Sequence, residues 1–495
     1  IKKLEISRML IFAHLDAQLI RRFHIDLTDC YNEEGAIAIG QIIDMISNEP
    51  GDLKNFPRDH LFMSNPIWEK PFWKRANQNF LLPCPWLLEQ MRIEIIEGLI
   101  VRNERLHKLL GDKKVKGNYL ESKTLQLFKE HFSEASFYNG SRLIIEDVEI
   151  TENDVLMILD HTAIIIECKS SRLSNSSKRG GLKGLERNFE DLIFKSMQQA
   201  TLFTEHLKNN PRTHRFPTQR PSKHNEFDTS KIKQFIKVVV TLESLGSLAT
   251  QKKELITAGL IKDSINHALI VAYSDLEIVF DVLSSQSEKI HYLLMRNYFE
   301  DNFSFLADEL DILVLYLQNS LTVSKDQNDT AFFMSDLSAR LNQYYKRGRL
   351  IGEHGNRPEH LICPWWKLII EDLEERKSDG WTNLSSVLLS VNRSMQEEAE
   401  HKKNEFLSQL LREKRKVFNH GYWGIEARDE PIALVLFIHR GFSHEERQNS
   451  LGSLHDEIIK NHQVFKFLSI EINVLKLRKS YSCISYIERT KPLSI

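Results

Sequence analysis

The sequence predicts an α/β protein: a mixed sheet flanked by helices, preceded by a mainly helical region and followed by an α+β domain. Three observations predict it. Asp154 to Lys169 reads as two apolar strands joined by a short polar connection at Asp160-His-Thr. Phe235–Leu242 and Ala268–Tyr273 are continuous apolar runs suited to buried central strands. Between hairpin and runs, residues 186–207 carry helical periodicity, which predicts a parallel crossover.

The elements follow in chain order. Residues 1–112 read mainly as helices, including Met9–Phe23 and Pro85–Leu110. Between them lies an aromatic, proline-bearing stretch whose Trp68 and Trp73 suit a loop pinned to a core better than base stacking. Gly117–Phe132 is an amphipathic helix, and Glu121 shares the stripe of Leu125, Phe128 and Phe132 at offsets of four, seven and eleven. A carboxylate on an apolar stripe calls for a compensating metal or lysine, unless it is a first-turn acid favoured by the helix dipole. Arg142–Ile150 pairs ahead of the hairpin. Phe189–Leu207 is a second amphipathic helix bearing Lys195, Gln198 and Gln199. Leu276–Leu283 and Ser287–Tyr298 extend the helical layer, and Asp308 and Asp311 read as first-turn acids. A polar stretch within Ser320–Thr330 marks a boundary, dividing the chain into 1–112, 113–322 and 331–495. The last region has a long charged helix, Ser394–Phe418, and a strand, Ile432–Ile438. His439 and His444 fall on an apparent loop at a spacing that suits neither helical nor strand ligation.

The chemistry concentrates in the hairpin. Strand side chains alternate faces, so Glu167 and Lys169 point one way and Cys168 the other. Folding the hairpin brings Asp154 near Glu167. Two carboxylates and an ammonium on a sheet suit Mg²⁺ or Mn²⁺, with the lysine orienting or deprotonating a water. Glu-x-Lys by itself occurs four times, at Glu121, Glu167, Glu375 and Glu400. Only the copy at Glu167 closes an apolar β-branched run with an acid opening the preceding strand.

Composition sets the limits. The chain has 495 residues, with 66 Lys and Arg against 68 Asp and Glu, so its net charge of −2 is not that of a strongly basic DNA-binding protein. Local charge differs: Lys169, Arg172, Lys178, Arg179, Lys183 and Arg187 face only Glu186 over one short segment, enough to neutralise several phosphates. No run of 18 uncharged apolar residues predicts a membrane span. Five scattered cysteines without a CxxC pair argue against a disulfide framework or structural zinc and fit a reducing cytoplasm. No signal peptide is visible, although the chain opens with Ile. GxSxG, HExxH, GxGxxG and GxxxxGK[ST] are all absent, which removes the common hydrolase, dinucleotide and phosphate-loop readings.

The order helix with Glu121, strand with Asp154, strand with Glu167-Cys168-Lys169, and helix with Lys195 and Gln198/Gln199 resembles the PD-(D/E)XK nuclease superfamily. It looks most like the nuclease-related branch, over about residues 113 to 320. The resemblance implies a restriction-endonuclease-like core and metal-dependent hydrolysis of phosphodiester bonds, of DNA more than RNA. It implies Asp154, Glu167 and the Cys168 backbone carbonyl as ligands of Mg²⁺ or Mn²⁺. Lys169 would orient the water or stabilise charge, Glu121 would be the auxiliary acid, and Gln199 would support the site. Arg172, Lys178, Arg179, Lys183, Arg187 and Lys195 would contact nucleic acid. A role in bacterial antiphage defence or restriction follows from the resemblance alone, and a protein partner or homo-oligomer would be compatible with it. Asn153 stands where some members have Pro or a hydrophobic residue before the Asp. The alternatives are a nuclease fold kept as a scaffold binding nucleic acid or protein, and an effector whose outer regions sense a ligand.

Overall fold

The computed structural model describes residues 2–25, 33–57, 65–74, 80–110, 113–174, 177, 181–219, 222–260, 268–322, 332–334, 337–351, 357–427, 430–476 and 480–489. The protein is mixed α/β with mixed sheets. It divides into two compact units, residues 1–119 with 170–189, and residues 120–169 with 190–495. Within the region 113–322, residues 113–119 and 170–189 therefore belong to the first unit, while 331–495 shares the second unit with the central sheet.

The first unit holds the helices Lys2–Phe23, Glu33–Met45, Arg92–Arg102 and Glu104–Leu110. It also holds a small four-stranded sheet, formed by His24–Ile25, Phe80–Leu81, Phe72–Lys74 and Ser47–Asn48 in that order. Strands of two or three residues are too short to show a period, which is why the sequence reads as helices there. Ile43, Ile46, Phe72, Phe80, Leu82 and Ile95 form its core.

The second unit is built on two sheets. Helix α1 (Lys113–His131) leads into a meander of β1 (Ser136–Ile145), β2 (Val148–Leu159) and β3 (Thr162–Lys169). The stretch Arg142–Ile150, expected as one strand, is thus split between β1 and β2. Glu146 and Asp147 both take positive φ (50° and 61°), the conformation that a two-residue hairpin turn requires. A π-helical turn, Glu190–Phe194, opens into α2 (Lys195–Asn209), and the chain reaches β4 (Gln234–Thr241) after a hairpin, Thr213–Pro217 with His224–Asp228. β4 pairs with β3 in parallel, and β5 (Leu269–Ala272) pairs with β4 in parallel, giving the order β5-β4-β3-β2-β1. The expected crossover is therefore present.

Both faces of this sheet are covered, as its β-branched run demands. Val155, Met157, Ile164, Ile166 and Cys168 pack on α1, α3 (Tyr273–Val282) and α4 (Gln286–Asn302). Leu156, Ala163 and Ile165 pack on Ala200, Phe203 and Leu207 of α2. Asp308 caps the following helix, Glu309–Asn319, by accepting from the Asp311 N–H at 2.9 Å, in keeping with first-turn acids.

The C-terminal part places α5 (Pro364–Arg376), α6 (Trp381–Leu389) and α7 (Arg393–Arg412) on one face of a second sheet. Its strands are β6 (Val417–Ala427), β7 (Glu430–Arg440), β8 (Lys466–Asn473) and β9 (Cys483–Glu488) in that order. Helix α8 (His444–His462) crosses from β7 to the parallel β8 and covers the other face. The long helix expected to reach Phe418 stops at Arg412, because Val417, Phe418, Tyr422 and Trp423 are strand formers committed to a ladder with β7. His439 and His444 do not share a loop: His439 is buried in β7 and His444 opens α8. The two sheets meet through Asp160, in the turn between β2 and β3. Its carboxylate accepts from the Gly380 and Thr382 N–H groups (2.9 and 3.0 Å) and the Thr382 hydroxyl (2.9 Å), capping α6 from outside the helix. Among the described residues no helix is long and apolar enough to cross a membrane.

Candidate metal centre at the splayed end of the hairpin

The backbone ladder between β2 and β3 runs from Leu159↔Thr162 to Val155↔Ile166 and ends there. Beyond it, side chains hold the strands together. Asp154 Oδ2 accepts from the Cys168 N–H at 2.7 Å, and Asn153 Nδ2 donates to the Ile166 carbonyl (3.2 Å) and to Glu167 Oε1 (3.1 Å). Glu167 is 0% exposed, and among the described residues no N–H or hydroxyl donates to its Oε2; the side chain it meets there within hydrogen-bonding reach is the Asp154 carboxylate, another acid. Asn153 Oδ1 is also buried without a hydrogen-bond partner. Lys169, at the end of β3, donates from Nζ to Gln199 Oε1 on α2 at 3.1 Å. Glu121 projects from α1, half-buried. The Cys168 thiol points the other way, into the core beneath α1.

All three carboxylates are held above their ordinary range. Burial raises Glu121, and the charges of Asp154 and Glu152 add to it, with Lys169 opposing. Burial raises Asp154 against the pull of Lys169, the Cys168 N–H and a side-chain hydrogen bond with Glu167. Burial and the neighbouring Asp154 raise Glu167 furthest, against the pull of Lys169 and the Asn153 amide. Three crowded acids with one lysine lack positive charge, and the buried Asp154 and Glu167 carboxyls face each other with no described donor on Glu167 Oε2. A hard divalent cation supplies both, and an all-oxygen donor set suits Mg²⁺ or Mn²⁺. The residues fit the ion.

The fold thus brings together Asp154, Glu167, Lys169, Glu121 and Gln199. Gln198, the other glutamine of the pair, is exposed. Lys195 opens α2 but is held by Asp191 at 2.6 Å. Arg172, Lys183 and Arg187 belong to the other compact unit, where Lys183 and Arg187 lie exposed on the helix Leu182–Phe189. Lys178 and Arg179 lie outside the described residues. The site residue that sequence reasoning missed is Asn153. Alternation alone gave no signal, because its amide acts where the ladder has stopped.

A second group, Asp160, His161 and Asp379, has potential ligand atoms within 4.8 Å of one another, and His161 and Asp379 line a cleft of about 710 Å³. Its acids are already engaged: Asp160 caps α6, and Asp379 accepts from Lys231 at 3.0 Å and sits 3.3 Å from His161 Nε2. These contacts explain the cluster as a joint between the sheets.

No family model and no curated protein matches the chain. Among solved structures, the crystal structure of protein VC1899 from Vibrio cholerae is similar at 12% identity over 49% of each chain, with a TM-score of 0.15, a likeness that carries no argument about fold or function.

Proposed function

We propose that this protein is a divalent-metal-dependent nuclease that hydrolyses phosphodiester bonds, of DNA in preference to RNA, on a restriction-endonuclease-like core. The observation that carries the reading is the buried pair of carboxyls Asp154 and Glu167, which meet each other with no described donor on Glu167 Oε2, at the point where two strands part and Lys169 closes the site. A buried carboxylate in that state is unfavourable for folding, and burial without a donor points to a ligand.

Asp154 and Glu167 would hold the cation, with the Cys168 carbonyl as a further oxygen. When bound, the ion polarises the phosphate and lowers the pKa of a coordinated water. Gln199 fixes Lys169, whose ammonium orients the attacking water and stabilises charge as it develops on the phosphate. Glu121, from the opposite side, supplies an auxiliary acid. Restriction or antiphage defence in a bacterial cytoplasm suits such an enzyme.

The test is cleavage of plasmid, linear duplex, single-stranded DNA and RNA in Mg²⁺, Mn²⁺ or EDTA by wild type and Lys169→Ala. Metal-dependent cleavage that the variant loses supports the reading. Nucleic-acid binding without cleavage by wild type favours the scaffold instead.

A further inference from the structure

Asn153 lies where the backbone ladder of the hairpin has ended and side chains, its own and that of Asp154, bridge the strands instead. It is 0% exposed, and its Nδ2 bridges the Ile166 carbonyl and Glu167 Oε1 across the parting strands. The consequence falls on Glu167. With Oε1 held by the amide, the carboxylate is turned so that a single oxygen, Oε2, which meets only the Asp154 carboxyl among the described residues, is left to a ligand. Asp154 is constrained likewise, since its Oδ2 accepts from the Cys168 N–H at 2.7 Å.

Single-oxygen ligation selects among cations. Ca²⁺ gathers six to eight oxygens at long distances and favours carboxylates that offer both, whereas Mg²⁺ takes a tight octahedron of one or two carboxylate oxygens and several waters. Mn²⁺ shares the oxygen-ligand, octahedral preference. Resting on the metal-site reading above, we propose that Asn153 is a positioning residue that confines Glu167 to one ligand oxygen and thereby sets the preference of the site for Mg²⁺ and Mn²⁺ over Ca²⁺. A merely structural clip would hold the strands together without affecting the ratio of ion affinities. Selectivity is therefore the informative readout, not activity.

The experiment is calorimetric titration of the full, chelator-stripped chain with Mn²⁺ and, separately, Ca²⁺. It uses wild type, Asn153→Ala, the near-isosteric Asn153→Leu, and Asp154→Asn. Wild type is expected to bind Mn²⁺ at least about tenfold more tightly than Ca²⁺. Either Asn153 variant is expected to lose about tenfold in Mn²⁺ affinity, the scale of a lost outer partner, and to hold Ca²⁺ nearly as well as wild type, so that the ratio collapses. An unchanged ratio in the Asn153 variants, with Asp154→Asn abolishing binding of both ions, overturns the inference and leaves the metal site standing. A wild type that fails to prefer Mn²⁺ overturns it without recourse to any variant. Wild-type Mn²⁺ affinity in Asp154→Asn overturns the metal site itself, and this inference with it.

Discussion

Replacing Glu167 with Gln is expected to stabilise the metal-free protein while destroying the site. Glu167 is fully buried, with one oxygen bonded to Asn153 and the other facing the Asp154 carboxyl with no described donor. A buried acceptor left unsatisfied costs about 1–3 kcal/mol, more when it is charged. Gln keeps the oxygen that Asn153 binds and puts an amide donor beside Asp154, so in EDTA the variant gains about 1–3 kcal/mol of unfolding free energy. The pH dependence carries a definite sign. The folded-state pKa of Glu167 lies above its ordinary value of 4.5, so the folded protein keeps a proton that the unfolded chain has released. The stability contributed by this group is present in full below 4.5 and is lost as pH rises through the raised folded value. Urea unfolding in EDTA across pH 5 to 8 reads both effects: the gap between variant and wild type widens with pH. Mn²⁺ at a thousandfold excess over Kd reverses the order, because only wild type gains about 4.1 kcal/mol. A Glu167→Gln protein less stable than wild type in EDTA throughout this range would refute the reasoning.

Three further outcomes follow from the same geometry. Lys169→Met is expected to lower cleavage by about 10²–10⁴-fold, the range of a lost proton-handling group, while Mn²⁺ affinity by calorimetry stays near wild type. Asp160→Ala removes an acceptor used by two backbone N–H groups and a hydroxyl. It should lower the urea-unfolding free energy by about 2–4 kcal/mol, and an unchanged midpoint would show that the joint between the sheets does not rest on this cap. Burial lowers both His439 and His455 to about 4 from the ordinary 6.5, so each is neutral when folded and protonates on unfolding. Stability should therefore fall as pH drops from 6.5 toward 4, and His455→Gln should flatten that acid limb in pH-dependent urea titrations.

What the sequence reveals tracks what periodicity can report. The apolar strands β3, β4 and β5, the helix between them and the stripe on α1 are long enough to display their faces, and the fold places them accordingly. Glu167 and Lys169 were legible because alternation fixes their shared face. Where geometry departs from the period, legibility ends. The turn at Glu146-Asp147 adopts positive φ with residues that carry no Gly or Asn signal. The change from α7 to β6 falls inside one charged run, where Arg412 to Lys416 suits a helix surface as well as a loop. Asn153 is the sharpest case: its role arises only once the ladder ends at Val155↔Ile166, a fact about two strands together. The coupling of Asp160 to α6 joins positions 220 residues apart, beyond any local pattern.

The most direct test of the central claim is to incubate wild type and Asp154→Asn with supercoiled plasmid in Mg²⁺ and in EDTA. The site described here predicts nicked or linear products from wild type in Mg²⁺, and none in EDTA or with the variant. Equal cleavage by Asp154→Asn, or cleavage by wild type undiminished in EDTA, would contradict it.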